Sequence, residues 1–67
     1  MSAFQLLMII ADTINGGGYN FGKVRYPEQY KDQDANAILA MLGQRGMEIT
    51  HVAPGERQVA IFLKKIV

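Results

Sequence analysis

The sequence contains no cysteine, no tryptophan and a single histidine, His51. Without cysteine the chain can form neither a disulfide nor a thiolate zinc site. A small domain usually gains support from disulfides, from a metal or from a partner subunit. One histidine cannot build a metal site unless carboxylates supply the other ligands, so association with another chain is the support that stays open. We expect one domain over residues 1–67 and no cofactor.

Net charge and long apolar runs are also lacking. Seven Lys and Arg balance six Asp and Glu, whereas a protein dedicated to duplex DNA usually has a clear basic excess. The longest apolar run, residues 6–11, is far shorter than the roughly 20 residues that span a bilayer. The first residues carry no basic side chain, which a secretory signal requires. We therefore expect a cytoplasmic protein that does not bind a membrane, and the balanced charge disfavours duplex DNA as its partner.

The clearest local pattern predicts a helix over residues 34–45. Asp32 and Asp34 are both candidate N-caps, because a short carboxylate accepts hydrogen bonds from the free amides of a first turn. Gly46 suits the residue after the helix, where a left-handed conformation is common. The apolar residues share one helical face at the spacing i, i+3, i+4 and i+7: Ala35, Ile38, Leu39 and Leu42.

Beyond Gly46 the apolar period changes from helical to alternating, which predicts a strand from Met47 to Ala53. Residues 53–56 read Ala-Pro-Gly-Glu, with proline and glycine where a type II turn places them. A second strand from Arg57 to about Ile66 would then pair with the first in an antiparallel hairpin.

The apolar segment Phe4 to Ala11 fits either a strand or a helix that Ser2 and Gln5 cap. We favour the strand, because a bare two-stranded hairpin is marginally stable. The predicted fold is thus α+β: a small antiparallel sheet of about three strands, in the order β-α-β-β, with one helix packed on one face. Residues 15–31, rich in glycine and aromatics, are predicted to form a long loop, and such loops are often functional.

Two stretches of the C-terminal half follow a recognisable pattern: Leu42-Gly43, Gly46 and Glu48-Ile49 in the first, and Phe62-Leu63-Lys64-Lys65 in the second. Together they resemble a family of small bacterial and phage domains of unknown function. In that family a helix ending in LNxLGxxGWELV precedes a hairpin that closes in xxxLKR. Met47 stands where the family has tryptophan, and the resemblance covers residues 35–66. It implies the fold strand, helix, strand, strand, and it implies no activity.

Both faces of the first and last predicted strands are apolar. Leu7 and Ile9 stand where a wet face would show polar residues, and Phe62 points opposite to Ile61 and Leu63. One helix covers only one side of a sheet, and a large exposed apolar face usually marks an interface. The sequence therefore predicts a homo-oligomer, most simply a two-fold dimer, unless the glycine-rich loop covers the second face.

The segment Gly16 to Lys23 has part of a phosphate-loop pattern, because four residues separate Gly17 from Gly22-Lys23. Val24, however, stands where serine or threonine should bind magnesium, and Pro27 opposes the helix that should follow. We interpret the segment as a flexible loop or hairpin turn. A non-standard anion or nucleotide site is the alternative, since glycine amides can cradle anions.

A basic and aromatic cluster is the candidate site for a ligand or partner: Tyr19, Phe21, Lys23, Arg25, Tyr26 and Tyr30. Such side chains stack on bases and pair with phosphates, anchor protein interfaces, or simply cover a sheet. No catalytic residue is predicted, because Glu48 is expected on the strand face opposite His51. Asp32, Asp34 and Glu28 are interpreted as helix-capping and solvated groups.

These features predict a small non-enzymatic binding protein, a homo-oligomeric adaptor or inhibitor of a protein partner. By analogy with other short chains without catalytic chemistry, we expect a phage or accessory origin. The alternative is a protein that binds or sequesters a small anionic ligand or nucleotide through the glycine, aromatic and basic segment. A winged-helix DNA binder with residues 2–15 helical is a third interpretation, which the balanced charge disfavours.

Overall fold

The computed structural model describes residues 3–13 and 16–66. The elements in chain order are β1 (Phe4–Thr13), β2 (Tyr19–Tyr26), a 3-10 helix (Glu28–Tyr30), α1 (Ala35–Gln44), β3 (Met47–Gly55) and β4 (Gln58–Lys65). The strands form one sheet in the order β2-β1-β4-β3, with every neighbouring pair antiparallel. Among the described residues, neither helix has the length and apolar character needed to cross a membrane.

The predicted sheet of about three strands in the order β-α-β-β is wrong. The chain has four strands in the order β-β-α-β-β, because the middle of the predicted loop forms β2. Tyrosine, phenylalanine and valine favour extended structure. They make up half of the residues of β2, and their preference for a strand outweighs the unfavourable effect of Gly22. Gly16, Gly17 and Gly18 all have positive φ, and they lie in the connection that returns the chain from β1 to β2.

The segment Phe4 to Ala11 belongs to β1, which settles the choice between strand and helix. β1 is a central strand, because it pairs with β2 on one side and β4 on the other. Its register with β4 places Leu7 opposite Ile61 and Ile9 opposite Val59. Alternate residues of the two central strands therefore point to the same side of the sheet.

The hydrophobic core lies between α1 and that side of the sheet. The helix contributes the side chains at the predicted spacing, and the two central strands contribute every second residue. The buried residues are Leu7, Ile9, Ala11, Val24, Ala35, Ile38, Leu42, Val59, Ile61 and Leu63.

The ends of α1 agree with the predicted helix over residues 34–45 to within one residue. Asp34 is the N-cap: the Ala37 N–H donates to its Oδ2, with N···O 3.1 Å. Gly46 follows the helix with φ 85°, a conformation that glycine adopts at no steric cost. Asp32, the other candidate cap, instead has φ 68° and donates its N–H to the Val24 carbonyl at 2.9 Å.

The predicted type II turn over residues 53–56 is wrong. Pro54 and Gly55 lie in β3, opposite Val59 and Gln58, and the turn is made by residues 56–57. Arg57 has φ 57° in that turn. Proline is tolerated here because β3 is an edge strand, where a missing N–H can face away from the ladder.

We expect Asp34→Ala to lower the free energy of unfolding by about 1 kcal/mol, because it leaves the amide of Ala37 without its cap. Asp34→Ser is the matched control, since a serine hydroxyl accepts the same bond and should keep most of the stability. Urea denaturation of both variants measures the difference. Equal losses in the two variants would contradict the assigned cap.

Candidate binding surface

The side of the sheet that faces away from α1 carries a continuous set of apolar side chains. Phe4 is 72% exposed, Tyr26 53%, Ile10 41% and Phe62 39%. Smaller or half-buried residues fill the space between them. We call this surface the open face, and it consists of Phe4, Leu6, Met8, Ile10, Tyr26, His51, Ala53, Ala60 and Phe62.

The strand register arranges the open face in rows that run across the strands. One row contains Leu6, Phe62 and His51, which are paired in turn across β1, β4 and β3. The His51 and Phe62 rings lie 5.7 Å apart between centroids, at an angle of 42°. The next row contains Met8, paired with Ala60 on one side and with Tyr26 on the other. The middle of the face is therefore apolar apart from His51.

Polar side chains lie at the two ends of the open face. Lys64 pairs with Phe4 on one side and with Glu48 on the other, at one end. At the opposite end Asp12 pairs with Asn20. An apolar centre with a polar rim is the usual composition of a protein–protein interface.

A bulge in β3 decides which of its side chains reach the open face. The register shifts between Ile49 and His51, so that Thr50 is the extra residue. Its hydroxyl donates to the Phe62 carbonyl at 3.2 Å. Because of this shift, Glu48 and His51 lie on the same face, and the predicted opposite placement of Glu48 is wrong. In the described chain no hydrogen bond joins these two side chains.

The six residues of the predicted basic and aromatic cluster do not form one surface. Tyr19, Phe21 and Tyr30 are half-buried and pack against the core on the α1 side. The rings of Tyr19 and Phe21 are stacked, with centroids 6.2 Å apart. The other three, Lys23, Arg25 and Tyr26, are exposed, and Tyr26 joins the open face. Their role in binding stays a prediction.

The glycine segment also lacks the geometry of a phosphate loop. Gly22 and Lys23 lie inside β2, and the next element is the 3-10 helix Glu28–Tyr30 rather than an α-helix at the loop. Four residues of extended strand separate Gly18 from Lys23, so the two Cα atoms are about 16 Å apart. Glycine amides and the basic side chains of β2 therefore do not converge on one anion.

Both edges of the sheet are protected. On β2 the segment that precedes α1 covers Val24, whose N–H donates to the Gln33 carbonyl and whose carbonyl accepts from Asp32, both at 2.9 Å. On β3 the bulge at Thr50 and the proline at position 54 interrupt the edge. Bulges and prolines are common means of preventing edge-to-edge pairing. The open face is thus the surface on which a partner can dock.

Groups suited to catalysis or metal binding do not cluster in the part of the chain that the structure describes. None of its His, Asp and Glu side chains form a group of three or more that could hold a metal ion. No polar side chain among residues 3–13 and 16–66 is buried. His51 contacts the Phe62 ring rather than a nucleophile.

Comparisons with protein-family models, with curated proteins and with solved structures find no significant match.

We expect Phe21→Ala to lower the free energy of unfolding by about 2 kcal/mol, because the ring packs against the core. Arg25→Ala on the same strand is the control. Its side chain is exposed, and its substitution should change stability by less than about 0.5 kcal/mol. Chemical denaturation compares the two; a stable Phe21→Ala protein would show that the aromatic residues of β2 are not structural.

Gly17→Ala should destabilise the protein by about 1 kcal/mol, because Gly17 has φ 96° and L-residues rarely adopt that conformation. Gly43→Ala is the opposite case. Gly43 lies in α1 with open space where an alanine Cβ would stand, so alanine should stabilise the helix by about 0.5–1 kcal/mol. Thermal melts of the two variants should shift in opposite directions, and a shift of the same sign would contradict the turn conformation.

Proposed function

We propose that this protein is a small non-enzymatic binding protein, a homo-oligomeric adaptor or inhibitor, whose open face docks on a protein surface. One observation supports this proposal above the others: four large apolar side chains of that face, on three adjacent strands, are each exposed by more than a third. Contiguous apolar surface of this kind marks interaction sites in folded proteins. The composition without cysteine is compatible with the cytoplasmic location that the proposal assumes.

The shape of the open face favours a protein as its partner over a small molecule. Small-molecule sites are concave and usually enclose at least about 300 Å³, whereas the open face is one side of a sheet. A pocket of about 220 Å³ lies elsewhere, at the strand ends beside the β3–β4 turn. Its lining contains one basic and one acidic residue, Arg57 and Asp12, which is a poor match for a nucleotide.

The residue types on the open face also suit a protein partner. Aromatic residues and methionine are enriched in the centres of interfaces, and lysine and glutamate are depleted there. The open face follows this distribution, with Phe62 and Met8 in its middle rows and with Lys64 and Glu48 at one end.

Site-specific photo-crosslinking tests the proposal. A benzophenone side chain placed at Tyr26, on the open face, should give a discrete adduct with a protein in an extract of the producing cells. The same probe at Ile49 is the matched control, because Ile49 is 50% exposed against 53% for Tyr26 but lies on the α1 side. An excess of the unmodified chain should compete the Tyr26 adduct away.

The opposite result is equally clear. If both positions give the same diffuse adducts, or if Tyr26 gives none, the open face is not a protein-docking surface and the proposed function is wrong.

A further inference from the structure

We infer that the occupant of the open face is a second copy of this chain, with the two sheets packed face to face in a two-fold dimer. The inference rests on the proposed function and specifies its partner. In such a dimer each α1 lies outside and the two open faces form a shared core about 10 Å thick, as in an aligned β-sandwich.

The exposed area of the open face suits a partner of the size of this chain. A standard interface buries roughly 800 Å² on each partner. With aromatic side chains of about 150–250 Å² each, the exposed parts of Phe4, Tyr26 and Phe62 alone account for about 300 Å².

The charges on the open face do not oppose a second copy, because Lys64 and Glu48 at one end carry opposite signs. A two-fold axis that lies between the sheets and runs perpendicular to the strands inverts the strand direction of one copy. The end that carries Lys64 and Glu48 then lies over the end of the second copy that carries Asp12 and Gln58. Each chain has a net charge of only +1, so two copies repel each other weakly.

The polar rim leaves the centre free for apolar contact between the copies. The Leu6–Phe62 row and the Met8–Ala60 row lie between the two charged ends. Their side chains can therefore interdigitate without burying a charge, which is the main cost of a poorly matched interface. A two-fold dimer uses the same patch twice, so a self-complementary patch is sufficient.

Sedimentation velocity over about 1–200 µM protein tests the inference, because dimer formation depends on concentration. The wild-type chain should shift from monomer to dimer in this range. Ile10→Lys should raise the dimer dissociation constant by at least about 100-fold, because an ammonium group buried without a partner strongly opposes association. Ile49→Lys, the same substitution at a 50% exposed position on the α1 side, should leave the constant unchanged within about three-fold.

A second matched pair separates loss of the interface from loss of the fold. Phe62→Lys and Val52→Lys change side chains that are 39% and 38% exposed on opposite faces of neighbouring strands. Only Phe62→Lys should dissociate the dimer, while circular dichroism stays native for both. If Ile49→Lys or Val52→Lys dissociates the dimer and the open-face variants do not, the inference is wrong.

The outcomes also distinguish this inference from the proposed function. A wild-type chain that stays monomeric at about 200 µM, with a Tyr26 adduct to a different protein, overturns the second copy as occupant and leaves the docking surface in place. A monomer without any open-face adduct rejects both proposals.

Discussion

One ten-residue helix is the main layer that this chain packs against its sheet in the described residues. A helix of that length is about 15 Å long and about 10 Å wide, whereas strands of eight to ten residues extend for about 26–33 Å. The helix therefore covers the middle of one side and nothing on the other. The exposure of the apolar side chains on the open face follows from this mismatch, as does that of Ile49 and Val52 on the α1 side of the edge strand β3.

The parts of the fold that local chemistry determines could be predicted from the sequence. The cap at Asp34, the apolar spacing through Leu42 and the glycine at position 46 each specify one end or one face of α1 without reference to the rest of the chain. The parts that depend on pairing could not be predicted. Pro54-Gly55 has the composition of a turn, yet an edge position in the sheet makes it strand.

The open face could be predicted in outline and not in its membership. The apolar residues at successive positions of β1 and β4 already indicate two dry faces. Which side chains of β2 and β3 reach the open face depends on their bulges, and a bulge reverses the facing of every residue beyond it. The residues from Tyr19 to Tyr30 look like one surface only because they are close together in the sequence. The β1–β2 register has two irregularities, so simple alternation does not determine which side of the sheet each residue of β2 faces.

Burial within the single chain does not fully account for the apolar composition of the open face. Phe4, Ile10 and Phe62 retain much of their exposure after folding, so burial within the monomer accounts for only part of their apolar character. Threonine or lysine at these positions would suit a strand with a wet face and would lower the risk of aggregation. The chain has no disulfide and no buried polar group among its described residues that could add stability instead. The apolar side chains that α1 leaves uncovered are therefore the reason for proposing a partner surface, because contact with it would add apolar burial that the described fold does not supply by itself.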